Sequence, residues 1–181
     1  MNPHYTATAK GLHWLMALLI FGLLALGFYM ADLPLSPEKL QYFSWHKWAG
    51  VTVFLLVWLR LAWRVTHRHP AYPLAMTGVQ QLLAHAGHLA LYALMLIIPL
   101  SGWLMSSAKG VPTVWFGVLP LPDLLAKDKA LGKQLAELHS ALNIGLLVLL
   151  GVHTAAALLH HLVLKDDILR RMLPLRFQPK P

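Results

Sequence analysis

Four long stretches of this chain are almost free of charge, and short polar connections separate them. They run from Leu12 to Ala31, from about Trp45 to Trp63, from about Leu82 to Met105, and from about Leu138 to Leu164. An α-helix needs about 20 apolar residues to cross a bilayer's hydrocarbon, and each stretch is long enough. Lys47 and Arg60 fall near opposite ends of the second stretch, where long side chains can snorkel to the headgroups. Pro99 lies inside the third, and a kink there is tolerable in a membrane helix. The connections carry the breakers: Leu33-Pro34-Leu35-Ser36-Pro37, then Pro70 to Gly78, then Gly110 to Lys133 with Pro112, Pro120 and Pro122. The pattern predicts an all-α integral membrane four-helix bundle. It forms a single membrane domain, with spans at about 10–31, 43–64, 80–105 and 136–164 and no internal repeat.

Composition supports this reading. Hydrophobic residues make up 57% of the 181 and charged residues 12%, against about a quarter charged in soluble domains. The first apolar run is read as a span and not a cleaved leader, because it is long enough to cross and ends in no small-residue cleavage site. There is no cysteine, which excludes disulfides, thiolate-bound zinc, iron–sulfur clusters and thiol catalysis. The formal charge of +8 comes from residues that flank the apolar runs and form no nucleic-acid signature. The expected partner of that charge is an anionic lipid bilayer.

Charge also orients the bundle. The N-terminus, the second connection and the C-terminus share one side, with Lys10, Arg60, Arg64, Arg68, Lys165, Arg170, Arg171, Arg176 and Lys180 against Asp166 and Asp167. The other side has Lys39, Lys47, Lys109, Lys127, Lys129 and Lys133 against Asp32, Glu38, Asp123, Asp128 and Glu137. Every arginine falls on the first side, so both termini are expected to be cytoplasmic.

That topology gives the histidines depths. His139 and His153 are 14 residues apart in the fourth span, about 21 Å of rise and nearly four whole turns, so both leave one face. His13 opens the first span at the cytoplasmic end, level with His153. His46 opens the second at the outer end, level with His139. Each pair could hold one haem iron between two neutral imidazoles. Gly50 and Gly151 lie close in sequence to His46 and His153 and would let a flat macrocycle approach the backbone.

A lone histidine at a helix end is ordinarily an interfacial residue, but four at matching depths favour ligation. A di-iron site would need carboxylates, and the span interiors have none, Glu137 sitting at an outer end. Zinc would want its ligands at one depth. Arg60 is 14 residues after His46, on the same face at the inner end. It either snorkels or pairs with a haem propionate.

Further histidines gather at the cytoplasmic end. His160 lies two turns beyond His153, and His85 and His88 open the third span. A lipid-soluble quinone needs donors for its carbonyls and a route for protons, work that suits histidine. His88 and His160 are the stronger candidates and His85 the weaker, while His161 is read as interfacial. His4, His67 and His69 look like solvated residues. On the outer side, Lys109, Lys127, Lys129 and Lys133 either focus a small anion toward His139 or are merely solvated. Trp115 and Phe116 are expected at the headgroup interface.

These segments resemble the bacterial cytochrome b561 family, and specifically its small four-helix members that act as superoxide oxidases. The resemblance rests on His13-Trp14-Leu15, on His46, on HAGHLALYALMLIIPLSGWLM (His85 to Met105), on His139, and on HTAAALLHHLVLKDDILRRMLP (His153 to Pro174). It covers nearly the whole chain. It implies two haems b, with ligand positions falling on His13, His46, His139 and His153, and a ubiquinone site toward the cytoplasm involving His88 and His160. It further implies that superoxide gives its electron to the outer haem and that quinone is reduced, in the inner membrane of a bacterium. Related cytochromes are membrane subunits of hydrogenases and dehydrogenases. The rival expectation is therefore a cytochrome b anchor and electron relay for such a partner.

Overall fold

In a computed structural model, residues 5–67, 70–73 and 76–174 are described. The chain forms α1 (Ala7–Ala31), α2 (Pro37–Thr66), α3 (Gly78–Ala108), the two-residue strands β1 (Val114–Trp115) and β2 (Leu119–Pro120), α4 (Lys129–Leu162), and the short α5 (Ile168–Met172). The four long helices have the length and composition to cross a membrane. Neighbours in sequence pack together, α1 on α2, α2 on α3 and α3 on α4. His4, Arg68, His69, Arg176 and Lys180, to which the sequence reading assigned sides or solvated roles, lie outside the described residues.

Capping residues decide where the helices start. The Thr6 hydroxyl accepts from the Ala9 amide, Ser36 from Lys39, and Asp128 from Ala130 and Leu131. Thr77 and Gln80 close a reciprocal capping box. Helix α2 therefore begins at Pro37, well before its apolar run, with proline in the first turn where its missing N–H costs nothing. Helix α4 begins at Lys129 for the same reason and ends at Leu162. Just beyond that end, Lys165 takes a left-handed φ of 54°.

The core threads the bundle axis: Met16, Ile20 and Leu24 from α1, Val53 and Val57 from α2, Leu91 and Ile98 from α3, and Leu146 from α4. Large apolar side chains also cover the outside, such as Leu18, Leu59, Leu89 and Val148. A surface apolar all round suits hydrocarbon solvent.

Each end of the bundle is closed by tryptophan N–H groups donating to backbone carbonyls or a hydroxyl. At the outer end the connection after α3 folds back as a β1–β2 hairpin, turning at Phe116 (φ 50°) and Gly117 (φ 72°). Trp48 donates to the Val114 carbonyl at 2.7 Å, and Trp103 to that of Pro122 at 3.0 Å. Trp115 was expected among the headgroups. Its ring is half-buried against α2 at that end, within 3.2 Å of the Trp48 carbonyl and 3.3 Å of the Thr52 hydroxyl. Phe116 leans on the Trp48 ring at 5.4 Å yet stays exposed. The Lys47 ammonium donates to the carbonyls of Val111 (3.2 Å) and Pro112 (3.3 Å), tying the hairpin down.

At the other end Trp14 donates to the Met172 carbonyl at 2.9 Å and Trp63 to the Thr6 hydroxyl at 2.9 Å. His67 stacks on Trp63 at 3.8 Å and is exposed, in keeping with its reading as a solvated residue. Arg171 bridges Asp167 (2.9 Å) and the Ala71 carbonyl (2.6 Å), fastening α5.

Val57 is fully buried among helices packed on every side. Val57→Phe is expected to cost about 1–3 kcal/mol by overpacking, read as a lower thermal midpoint in detergent. Val65→Phe, at an exposed position, should leave the midpoint unchanged.

Candidate functional site

The structure brings His46, His139, His13 and His153 together in two pairs. At the outer end the rings of His46 (α2) and His139 (α4) have centroids 6.4 Å apart and planes at 76°. At the other end those of His13 (α1) and His153 (α4) are 6.3 Å apart at 52°. A metal–imidazole bond is about 2 Å and the bonding nitrogen lies about 1 Å from its ring centre, so trans ligands to one iron have centroids about 6 Å apart. Both separations fit an iron between the rings.

The outer pair is set by its surroundings. His139 Nδ1 lies 3.1 Å from the Ile98 carbonyl and 2.9 Å from the Ser101 hydroxyl oxygen, and that hydroxyl itself donates to the Ile98 carbonyl at 2.7 Å. Both neighbours of Nδ1 accept, so Nδ1 carries the hydrogen and Nε2 keeps its lone pair, the form in which histidine binds a metal. The Asn143 amide donates to the His139 carbonyl at 2.7 Å. His46 Nδ1 is buried and without a hydrogen-bond partner among the described residues.

Two glycines stand behind these rings. A Cβ on Gly27 (α1) would sit 3.2 Å from His46 Cε1, and one on Gly102 (α3) 3.1 Å from His139 Cε1. The sequence reading singled out Gly50 and Gly151 instead, and a Cβ at either meets nothing within 4 Å. Only the depth of Gly27 and Gly102, at the outer ends of α1 and α3, hinted at their role.

The His13–His153 pair sits in a basic, aromatic setting. Arg60 donates to His13 Nδ1 at 2.9 Å and to the Tyr92 hydroxyl at 3.0 Å. The guanidinium carbons of Arg60 and Arg64 lie 5.8 Å and 5.9 Å from the Tyr92 ring centre, within cation–π range. Arg60 is thus turned into the bundle and does not snorkel. His88 (α3) adds a third ring, 5.5 Å from that of His153.

The other candidates divide. His160 Nδ1 lies 2.5 Å from Asp166 Oδ2. His85 is exposed. His161, read as interfacial, is half-buried with Nδ1 covered and unpartnered among the described residues. On the outer side Lys109, Lys127 and Lys129 are exposed, and Lys133 reaches Glu137 at 4.0 Å. Lys109 and Lys127 both lie at the end of α3: a Cβ on Gly132 would come within 2.9 Å of Lys109 Cγ, and one on Gly110 within 2.9 Å of Lys127 Cδ.

The family model for prokaryotic cytochrome b561 matches residues 4–175. The chain belongs to this family. It is 35% identical over 176 residues to cytochrome b561 homolog 2 of Escherichia coli (strain K12), covering 93% of this chain and 90% of that protein. Identity to the probable superoxide oxidase CybB of Yersinia pestis is 29% over 179 residues, 96% and 98% of the two chains. Cytochrome b561 homolog 1 of E. coli (strain K12) is 33% identical over 133 residues, 72% of this chain and 74% of that protein. This cytochrome b561 is a multi-pass membrane protein that binds haem b and carries electrons. The paired rings, the tautomer of His139 and the glycines behind the outer pair all suit that group.

Gly102→Val is expected to push His139 out of place and lower the haem b content per purified chain, measured by pyridine haemochrome. Gly22→Ala, where an added carbon meets nothing within 4 Å, should retain the full content.

Proposed function

We propose that this cytochrome holds two haems b, one between His46 and His139 and one between His13 and His153, and moves electrons from superoxide outside to ubiquinone near the cytoplasmic end. The inner membrane of a bacterium is its place, with both termini in the cytoplasm. The observation that carries the reading is the two ring pairs, 6.4 Å and 6.3 Å apart. Their α4 members are 14 residues, about 21 Å, apart on one helix face. Haem held at each pair would supply a reversible one-electron iron couple.

The chain's own groups do the rest. Ile98 and Ser101 hold His139 in its ligand tautomer, and Gly27 and Gly102 leave room for the His46 and His139 rings beside them. Arg60 and Arg64, gathered on Tyr92, provide the cationic charge that haem propionates require. Lys109 and Lys127 raise the local concentration of a small anion at the outer end. Superoxide is such an anion, and the Yersinia pestis relative is described as a probable superoxide oxidase. His88, against His153, offers a donor for a quinone carbonyl, and His160 stands two turns further along α4. The stoichiometry closes: two superoxide anions each lose one electron and leave as dioxygen, and one quinone takes two electrons and two protons to leave as quinol.

Rapid mixing of the purified protein with superoxide tests this. The haem absorbance should show reduction on mixing and reoxidation only when ubiquinone is present. Lys109→Glu combined with Lys127→Glu should slow the reduction and flatten its dependence on salt. Haem that takes no electron from superoxide would refute the donor assignment and turn attention to a relay for a dehydrogenase or hydrogenase partner.

A further inference from the structure

The cytoplasmic end carries a second polar arrangement that haem binding does not use. After α4 the chain reverses within a few residues. Val163 and Leu164 both donate to the Leu159 carbonyl, and Lys165 adopts φ 54°. A non-glycine residue there costs on the order of 1 kcal/mol and persists only where surrounding contacts impose it. The reversal lays Asp166 beneath His160. Asp166 Oδ2 meets His160 Nδ1 at 2.5 Å, Oδ1 accepts from the Ile168 amide at 3.1 Å, and the Asp166 amide donates to the His160 carbonyl at 3.1 Å. The carboxylate is thus held on both oxygens. The two side chains are 13% and 18% exposed, so the pair is largely shielded without being sealed from water.

The adjacent acid behaves differently. Asp167 takes Arg171, which also grips the Ala71 carbonyl, while Trp14 of α1 fastens Met172. Asp167, Arg171 and Trp14 brace the segment together with the Asp166 Oδ1–Ile168 amide bond, and Asp166 Oδ2 is left facing an imidazole. A carboxylate at Nδ1 fixes ring orientation and stabilises the imidazolium, leaving Nε2–H as the donor.

We propose that Asp166 is a positioning residue that orients His160 as a proton donor for quinone reduction. The inference rests on the quinone reading above. As electrons reach the quinone, the His160 Nε2–H bond breaks and that proton forms an O–H bond on a quinone oxygen. This supplies one of the two protons that quinol needs. Nδ1–H stays paired with Asp166, and after quinol leaves a proton from cytoplasmic water returns to Nε2.

The test is quinone-dependent reoxidation of the pre-reduced holoprotein in H₂O and D₂O. Asp166→Asn preserves shape and removes charge. It is expected to keep the haem spectrum, slow reoxidation by on the order of a hundredfold, enlarge the solvent isotope effect, and recover in part when formate is added. Asp166→Glu, which restores the carboxylate, should regain much of the rate. Reoxidation at the unaltered rate in Asp166→Asn overturns the inference. So does slowing with neither formate rescue nor a changed isotope effect, which would make the pair a brace for the turn. His160→Ala separates the two levels. If it too reoxidises normally, the quinone site lies elsewhere; if it is slow while Asp166→Asn is fast, His160 acts without Asp166.

Discussion

Inside hydrocarbon a polar group without a partner costs several kcal/mol, and the interior of this bundle is arranged around that constraint. Its four span histidines each bring two ring nitrogens into an apolar space. The His139 Nδ1 hydrogen is taken up by Ile98 and Ser101, which leaves a lone pair that nothing apolar can satisfy. A metal consumes one lone pair from each ring of a pair, and that is the partner the proposed haem iron would supply between His46 and His139. The same logic separates these four from His160, whose partner is a carboxylate near the water-facing end.

The two ends of the bundle are finished differently. Indole N–H groups from Trp48, Trp103 and Trp115 hold the outer hairpin, and those of Trp14 and Trp63 hold the cytoplasmic end. Tryptophan at membrane depth boundaries is commonly ascribed to headgroup affinity. Here the same rings also fix connections whose backbone would otherwise be poorly anchored. A rigid outer cap keeps Lys109 and Lys127 at one place above α3, and a fastened cytoplasmic segment keeps Asp166 under His160.

Much of this was legible in the chain. Apolar runs of spanning length gave four helices, since in lipid length and composition suffice to specify a span. The 14-residue spacing of His139 and His153, combined with an up-down topology, named the rings that the structure brings within 6.4 Å of each other. What escaped were features made by contacts. Helix starts at Pro37 and Lys129 depend on Ser36 and Asp128 as caps, outside the apolar runs. Gly27 and Gly102 matter through the histidine of another helix, so nearness in sequence pointed instead to Gly50 and Gly151. Lys47 meets its carbonyl partners only in the folded hairpin. The embrace of Asp166 and His160 required the left-handed turn at Lys165, which a lysine does not advertise.

The central claim is that each ring pair binds one iron. Haem quantitation of the purified protein, joined to an optical redox titration, addresses it most directly. Two haems b per chain are expected, both six-coordinate and low-spin, titrating as two one-electron waves. His46→Ala should remove or convert one wave and His13→Ala the other. One haem per chain, or a single wave lost equally in both variants, would contradict the account.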